Sequence, residues 1–195
     1  MTRSFAVTFD YRCPFARNAH EAVLAGIEAG ADWSVTFHAF SLDQVHLDPE
    51  EEAVWERPRG ERGSGVVALE WGIAVRDHFP ERFPAHHLGT FAARHDRGLR
   101  IDDPEVLAGV AAAAGLDPDV VAGIVATGEP LATLAGEHAE AVKRWDVFGV
   151  PTFIEGEEAV FVRLMERGRG GDIDLVLDLL PRGVLNEFKR TTVPR

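Results

Sequence analysis

The first 42 residues carry the pattern that most constrains the fold. In residues 4–10, "SFAVTFD", large apolar side chains recur at every second position, which predicts a strand. Pro14 opens residues 14–30, where apolar side chains recur at helical spacing, and proline is well tolerated in the first turn of a helix. Residues 33–42 alternate again and predict a second strand. Strand, helix and strand in this order predict a parallel pair with a crossover helix, and therefore an α/β fold.

The middle of the chain is helical by pattern. Helix starts are predicted where an aspartate that can cap the helix precedes a proline and an acidic residue. Three triplets have this arrangement: Asp48-Pro49-Glu50, Asp103-Pro104-Glu105 and Asp117-Pro118-Asp119. Strand patterns return in "PTFIEGEEAVFVRL", where two apolar runs flank Gly156 and predict a hairpin. "GDIDLVLDLL" predicts a last helix, with Asp172 as its candidate cap.

This order predicts two structural units. Residues 1–45 and 146–195 carry the strand patterns and form the first unit, and residues 46–145 form an inserted helical subdomain. The chain therefore has the layout βαβ, helical insertion, ββα.

Two short motifs add to this layout. Cys13, the only cysteine, stands directly before Pro14 at the start of the first predicted helix, and "VFGVPTF" directly precedes the hairpin. Their order and separation resemble the thioredoxin fold. The large helical insertion resembles the DsbA family, which also includes 2-hydroxychromene-2-carboxylate isomerases and kappa-class glutathione transferases. The resemblance covers nearly the whole chain and implies a cis peptide bond between Val150 and Pro151, beside an active site.

The cysteine motif departs from both patterns of that family. DsbA-type oxidases carry C-x-x-C, whereas this chain has Cys13-Pro14-Phe15-Ala16 and lacks the second cysteine. In the isomerases and kappa transferases, a serine usually stands where Cys13 does. The sequence therefore lies between the two groups, and the resemblance alone does not fix the reaction type.

Cys13 is the strongest candidate for a catalytic residue. A helix N-terminus favours thiolate, and Arg12 and Arg17 would add positive charge, while Asp10 would oppose them. These features predict a thiol pKa below the roughly 8.5 of free cysteine. Such a thiol is expected to form a mixed disulfide with a small thiol, and Cys13→Ser is expected to abolish exchange without disturbing the fold. The alternative is a buried cysteine that acts as a small apolar residue.

Five positions are candidates for substrate binding. Tyr11, Pro14 and Phe15 flank the thiol, and the two aromatic rings would line a pocket, although Phe15 equally suits a core. In thioredoxin-like folds the residue before the cis-proline offers its backbone groups to an extended ligand, which would give Val150 and Pro151 that role. The alternative is an ordinary loop proline that opens a strand.

The histidines are not predicted to take part in chemistry. His20 lies two helical turns beyond Cys13, roughly 10 Å along the axis, and a surface or partly buried position is expected for it. His86, His87 and His95 have poor spacing for a shared ion, because neighbouring helical residues point about 100° apart. No metal site and no bound cofactor are therefore predicted.

Charge and composition limit the partners and the compartment. A net charge of −12 disfavours nucleic acid, because phosphate binding requires a basic surface. The apolar stretches are too short to span a bilayer, and no signal peptide is predicted at the N-terminus. A single cysteine suits a reducing compartment, so a cytoplasmic location is expected. The sequence leaves open whether the protein forms a homodimer.

Three functions follow from these observations. The first is a thiol-dependent oxidoreductase that uses Cys13 alone for monothiol exchange with a small thiol or disulfide. The second is an isomerase or thiol transferase, in which glutathione or mycothiol as cosubstrate attacks an organic electrophile and Cys13 orients its sulfur. The third is a thioredoxin-like binding domain without catalytic activity, which the missing second cysteine favours. A low thiol pKa would support the first function.

Overall fold

The computed structural model describes residues 2–48, 50–184, 187, 189 and 190. In these residues the strands are β1 (Arg3–Phe9), β2 (Trp33–Ala39), β3 (Thr152–Glu155) and β4 (Glu158–Phe161). The α-helices are α1 (Pro14–Glu28), α2 (Leu42–Val45), α3 (Ser64–His78), α4 (Phe83–His95), α5 (Pro104–Ala113), α6 (Pro118–Ala126), α7 (Glu129–Trp145) and α8 (Gly171–Leu179). A short 3₁₀ helix spans Arg59–Glu61. The predicted layout of βαβ, helical insertion and ββα is confirmed.

The four strands form one mixed sheet in the order β2-β1-β3-β4. β1 and β2 are parallel, with Arg3 opposite Trp33, and α1 makes the crossover between them. β3 runs antiparallel to both β1 and β4. Gly156 has a φ of 64° in the β3–β4 turn, where glycine avoids the cost of a left-handed backbone. This topology places the start of α1 beside the segment that leads into β3.

Local capping explains two of the predicted helix starts but not the third. Asp103 and Asp117 accept hydrogen bonds from the backbone N–H groups of Glu105 and Asp119, and each cap precedes a helix. The helix predicted at Asp48 is absent from the described residues there, where a turn is found instead. The Asp-Pro-Glu pattern is therefore not sufficient by itself to start a helix at this position.

A smaller correction concerns the last helix. α8 is preceded by Gly170, and Asp172 lies inside the first turn rather than at the cap. An acidic side chain there still interacts favourably with the positive end of the helix dipole.

The core has two clusters of buried side chains. The smaller one packs Val7, Ala22 and Phe153 against α8. The larger one joins Phe9 and Tyr11, at the end of β1, to residues of α3, α4, α5, α6 and α7. The helices of residues 46–145 therefore share a core with the segment that carries Cys13, and the domain boundaries given above remain a prediction. No described helix has the length and apolar character needed to cross a membrane.

Candidate active site around Cys13

Cys13 forms the N-terminal cap of α1. Its backbone is extended, with φ −89° and ψ 117°, and Pro14 follows at the first helical position. The Ala16 N–H donates to Cys13 Sγ over 3.4 Å, and the Arg17 N–H donates to the Cys13 carbonyl over 3.1 Å. The Cys13 N–H donates to the Asp10 carbonyl over 3.0 Å, which fixes the turn between β1 and α1. The sulfur thus takes the position that a serine oxygen takes in an ordinary helix cap.

The segment before β3 faces this thiol. Cys13 Sγ lies 3.3 Å from the Val150 carbonyl oxygen and donates its proton to it. The peptide bond between Val150 and Pro151 is cis. The Thr152 N–H, directly after the proline, donates to Thr8 Oγ1 over 2.8 Å, and this hydrogen bond joins the segment to β1. The structure therefore brings together Cys13, Val150 and Pro151, which were predicted from distant parts of the sequence.

The protonation state of Cys13 differs from the prediction. The residue is 8% exposed, and burial raises the pKa of the thiol above its ordinary value. The N–H groups of Ala16 and Phe15 and the charge of Arg163 lower this pKa, while the charge of Asp10 raises it. The predicted acidic thiol is therefore wrong. Lost hydration disfavours the thiolate more than the helix N-terminus favours it.

Arg12 and Arg17 pair with carboxylates and not with the thiol. Arg12 forms an ion pair with Asp43, and Arg17 forms one with Asp96 over 2.8 Å. Each arginine is therefore neutralised by a neighbouring carboxylate, which explains why neither makes the thiol acidic.

Asp10 stabilises the turn between β1 and α1 through hydrogen bonds to the backbone. It is fully buried, and its carboxylate accepts the N–H groups of Arg12 and Leu42, each over 2.8 Å. Burial raises the pKa of Asp10, while these two hydrogen bonds lower it. The carboxylate thus ties the approach to Cys13 to the start of α2.

A buried hydrogen-bond chain that the sequence did not predict lies behind the site. The Tyr11 hydroxyl is 2.8 Å from His87 Nδ1, His87 Nε2 is 2.9 Å from His20 Nδ1, and His20 Nε2 is 3.1 Å from the Thr8 carbonyl oxygen. A carbonyl can only accept, so neutral His20 carries its proton on Nε2. Each ring then accepts at Nδ1, which makes His87 the donor to His20 and Tyr11 the donor to His87.

This chain holds the turn and has no access to solvent. Tyr11, His20 and His87 are all fully buried, so the surface or partly buried position expected for His20 is wrong. Burial lowers the pKa of His20 to about 4 and that of His87 well below its ordinary value. Tyr11 therefore belongs to the core instead of lining a ligand pocket. His95 Nε2 donates to the Tyr11 carbonyl over 2.9 Å and fixes its backbone as well.

The three histidines of α4 make separate contacts. His87 lies in the buried chain and His95 bonds Tyr11, whereas neither ring nitrogen of His86 has a partner among the described residues. Within the same residues, no group of three or more His, Cys, Asp or Glu side chains is arranged to hold a metal ion.

The comparisons with known proteins concern the fold. Residues 84–166 match the model of the DSBA-like thioredoxin domain. A thioredoxin-like oxidoreductase from Silicibacter pomeroyi has a TM-score of 0.62 at 18% identity, covering 92% of this chain and 86% of its own. Pseudomonas aeruginosa DsbA has a TM-score of 0.62 at 17% identity, with coverage of 94% and 85%. A 2-hydroxychromene-2-carboxylate isomerase has a TM-score of 0.66 at 14% identity, with coverage of 93% and 96%. No curated protein matches the chain significantly.

The chain has a DsbA-like thioredoxin fold. The resemblance given above and the predicted fold class are thus confirmed. Structures at these identities show the fold alone. They include oxidoreductases and an isomerase, so the choice between these reactions has to come from the chemistry of this chain.

In this DsbA-like fold, Phe15, which lies two residues after Cys13, is linked through Arg163 to two further aromatic side chains. Pro14 is exposed and Phe15 is partly buried against the core, so Phe15 has the core contact predicted for it, and its role in substrate binding stays a prediction. Phe148 is 66% exposed, and its ring lies 5.2 Å from that of Phe161. The guanidinium of Arg163 lies over the rings of both Phe15 and Phe161. Sequence reasoning missed Phe148, Phe161 and Arg163, although Phe148 stands inside the "VFGVPTF" motif.

Proposed function

We propose that the protein is a thiol-dependent enzyme of the isomerase or transferase type. In this proposal the neutral Cys13 thiol, which has a single proton, gives up its hydrogen bond to the Val150 carbonyl when the cosubstrate binds and donates instead to the sulfur of glutathione or mycothiol. The observation that carries it is the S–H of Cys13, which lies at a helix cap and donates to the Val150 carbonyl over 3.3 Å. Burial keeps this proton in place, because it raises the pKa of the thiol.

The donated hydrogen bond gives Cys13 the part that serine is thought to play in the related isomerases and kappa transferases. A hydrogen bond to a charged acceptor favours the charged form, so the cosubstrate is held as a thiolate. The cosubstrate thiol releases its proton to water, and its sulfur attacks an electrophilic carbon of the second substrate. A C–S bond forms there while the bond from that carbon to its leaving group breaks, and the leaving group, such as chloride, departs with the electron pair. Cys13 forms no covalent bond, so the reaction needs no second cysteine.

Monothiol exchange is the second candidate function. Here the Cys13 thiolate attacks an external disulfide, forms a mixed disulfide and releases one thiol, and a second small thiol then frees Cys13. This candidate is favoured by the Ala16 N–H, which donates to the sulfur, and by Arg163, whose charge lowers the thiol pKa. Burial acts against it in the free protein.

A comparison of Cys13→Ser with Cys13→Ala separates the candidates. Conjugation of glutathione or mycothiol to a chloronitrobenzene and reduction of a mixed glutathione–cysteine disulfide are measured for both variants. We expect conjugation to survive in the serine variant and to fall roughly 10- to 150-fold in the alanine variant, because a hydrogen bond to a charged group contributes about 1.5–3 kcal/mol.

Other outcomes of this comparison contradict the proposal. Monothiol exchange would be favoured if the wild type reduces the disulfide but shows no conjugation, and if both variants lose the reduction. Absence of both activities and of thiol binding would favour a non-catalytic binding domain. Mass spectrometry of protein purified without reductant provides a second test, and we expect Cys13 to carry no disulfide adduct.

We also propose that the protein acts in the cytoplasm, where reducing conditions would supply the small thiol in its reduced form. Its partners would be that thiol and an electrophilic small molecule. Fractionation of the source cells, followed by detection of the protein, tests this location.

A further inference from the structure

Arg163 is a cation without an acidic partner at the edge of the site. It is exposed, and its guanidinium lies 5.3 Å from the ring centroid of Phe15 and 5.6 Å from that of Phe161. Among the described residues, no hydrogen bond or ion pair joins Arg163 to a carboxylate, whereas the nearby Arg167 and Arg169 each bind two acidic side chains.

The position of Arg163 places this charge beside the thiol. Phe15 stands two residues after Cys13, and the Val162 N–H donates to the Pro151 carbonyl over 3.1 Å. Arg163 therefore follows directly on the residue that pairs with the cis-proline segment. Its charge also lowers the pKa of Cys13, which agrees with this proximity. A ligand whose sulfur lies at Cys13 would extend past Arg163.

The two rings leave the guanidinium ready to bind an anion. A guanidinium that lies over an aromatic face keeps its N–H donors in its own plane, where they point away from the ring. Those donors match the two oxygens of a carboxylate. Phe148, exposed and in contact with Phe161, extends the apolar wall next to the cation.

We propose that Arg163 binds a carboxylate of the ligand whose sulfur is held at Cys13. The proposed carboxylate contact rests on the proposed function only for the position of the ligand sulfur, and it applies to conjugation and to monothiol exchange alike. Phe15 and Phe161 orient the guanidinium, and the ligand is an organic sulfur compound that bears a carboxylate near its thiol or disulfide. Arg163 is thus a residue that determines specificity.

The test uses two aromatic disulfides that differ in charge. Dithiobis-nitrobenzoate carries a carboxylate on each ring, and dithiodipyridine carries none. In both cases the Cys13 thiolate attacks one sulfur, the S–S bond breaks, the aryl group remains on Cys13 as a mixed disulfide, and one coloured aryl thiolate leaves. The rates with the two reagents are measured for the wild type, Arg163→Gln, Arg163→Lys and, as a matched control, Arg169→Gln.

The ratio of the two rates isolates the carboxylate contact. Loss of the Arg163 charge raises the pKa of Cys13 and so slows the reaction with both reagents. This effect cancels in the ratio of the two rates. We expect Arg163→Gln to lower the ratio of the anionic to the neutral reagent by about tenfold or more, and Arg169→Gln to leave it unchanged, because charge-assisted bidentate contacts are strong. An unchanged ratio in Arg163→Gln would overturn the proposal. A ratio fully retained in Arg163→Lys would also overturn it, since simple charge attraction would then suffice.

A binding measurement makes the test independent of the reactivity of Cys13. The Cys13→Ala protein, with and without Arg163→Gln, is titrated calorimetrically with thionitrobenzoate and with thiopyridine. We expect the second substitution to weaken only the binding of thionitrobenzoate, by about tenfold. Equal affinities in both proteins would refute the carboxylate site. If this result holds while conjugation is absent from the wild type, the proposed reaction fails and the binding site stands.

Discussion

Acid sensitivity of the fold should depend measurably on His20. This histidine is fully buried, and its pKa in the folded protein is about 4, against about 6.5 in an unfolded chain. Between these values the unfolded chain binds a proton at this position and the folded protein does not. The contribution of His20 to stability is therefore fully present above pH 6.5 and is lost as the pH falls towards 4.

The expected magnitude follows from the size of this shift. Each pH unit in the window changes the free energy of unfolding by about 1.4 kcal/mol for one proton, so the loss at pH 5 amounts to about 2 kcal/mol relative to pH 7. His86 and His87, whose pKa values burial also lowers, act in the same direction. Asp10 and Glu70 act in the opposite direction, because burial raises their pKa values and the folded state then binds the extra proton.

The substitution His20→Gln separates this contribution from the others. Glutamine retains an N–H donor for the Thr8 carbonyl but does not titrate. Urea unfolding of the variant and the wild type at pH 7, 6 and 5 gives the free energy of unfolding at each pH. We expect the pH dependence of the variant to be smaller by about 1.4 kcal/mol per unit near pH 5. If His20→Gln and the wild type lose stability in parallel, the neutral buried histidine is refuted.

Three further predictions concern the surroundings of the thiol. The rate of Cys13 alkylation by iodoacetamide should rise with pH through a thiol pKa above the roughly 8.5 of free cysteine, because burial raises it, and a midpoint below that value would contradict the site as described. Tyr11→Phe removes the donor to the buried His87 Nδ1, so the free energy of unfolding in urea should fall by about 1–3 kcal/mol; a change below a few tenths would show that this hydrogen bond contributes little. Thr8→Val leaves the Thr152 N–H without its acceptor and should lower the free energy of unfolding by about 1–3 kcal/mol. Thr8→Ser keeps the hydroxyl and should retain most of this stability. Equal losses in the two variants would refute the role of the hydroxyl.

Sequence reasoning succeeded where neighbouring residues decide the structure. Asp103 and Asp117 begin helices because a carboxylate, a proline and an acid within three positions satisfy the free N–H groups of the first turn. Gly156 closes the hairpin for a similarly local reason, since its φ of 64° favours glycine. At Asp48 the same local pattern did not produce a helix in the described residues, so the cap signal alone does not decide whether a helix forms.

In the candidate site, too, some features follow from neighbouring residues and others depend on tertiary packing. Cys13 at the start of a helix followed from its neighbour Pro14, and its pairing with Val150 was implied by family resemblance. Its exposure of 8% and raised pKa were not predictable, because they depend on segments that pack over the sulfur from elsewhere in the chain. A local pattern gives the helix end that would favour thiolate, but only tertiary packing decides how much water remains to solvate it.

The buried chain and the cation at the site were also decided by tertiary structure. Tyr11, His20 and His87 come from a turn and two different helices, and the sequence does not encode their distances. Arg163 lies beside the thiol only because β4 pairs with β3 next to the cis-proline. The sequence by itself determined the order of strands and helices and the residue at the helix cap, since these depend on short-range spacing and hydrogen bonding. The protonation states and the charge that a ligand meets depend on burial and on neighbours from distant segments, which exist only once the chain has folded.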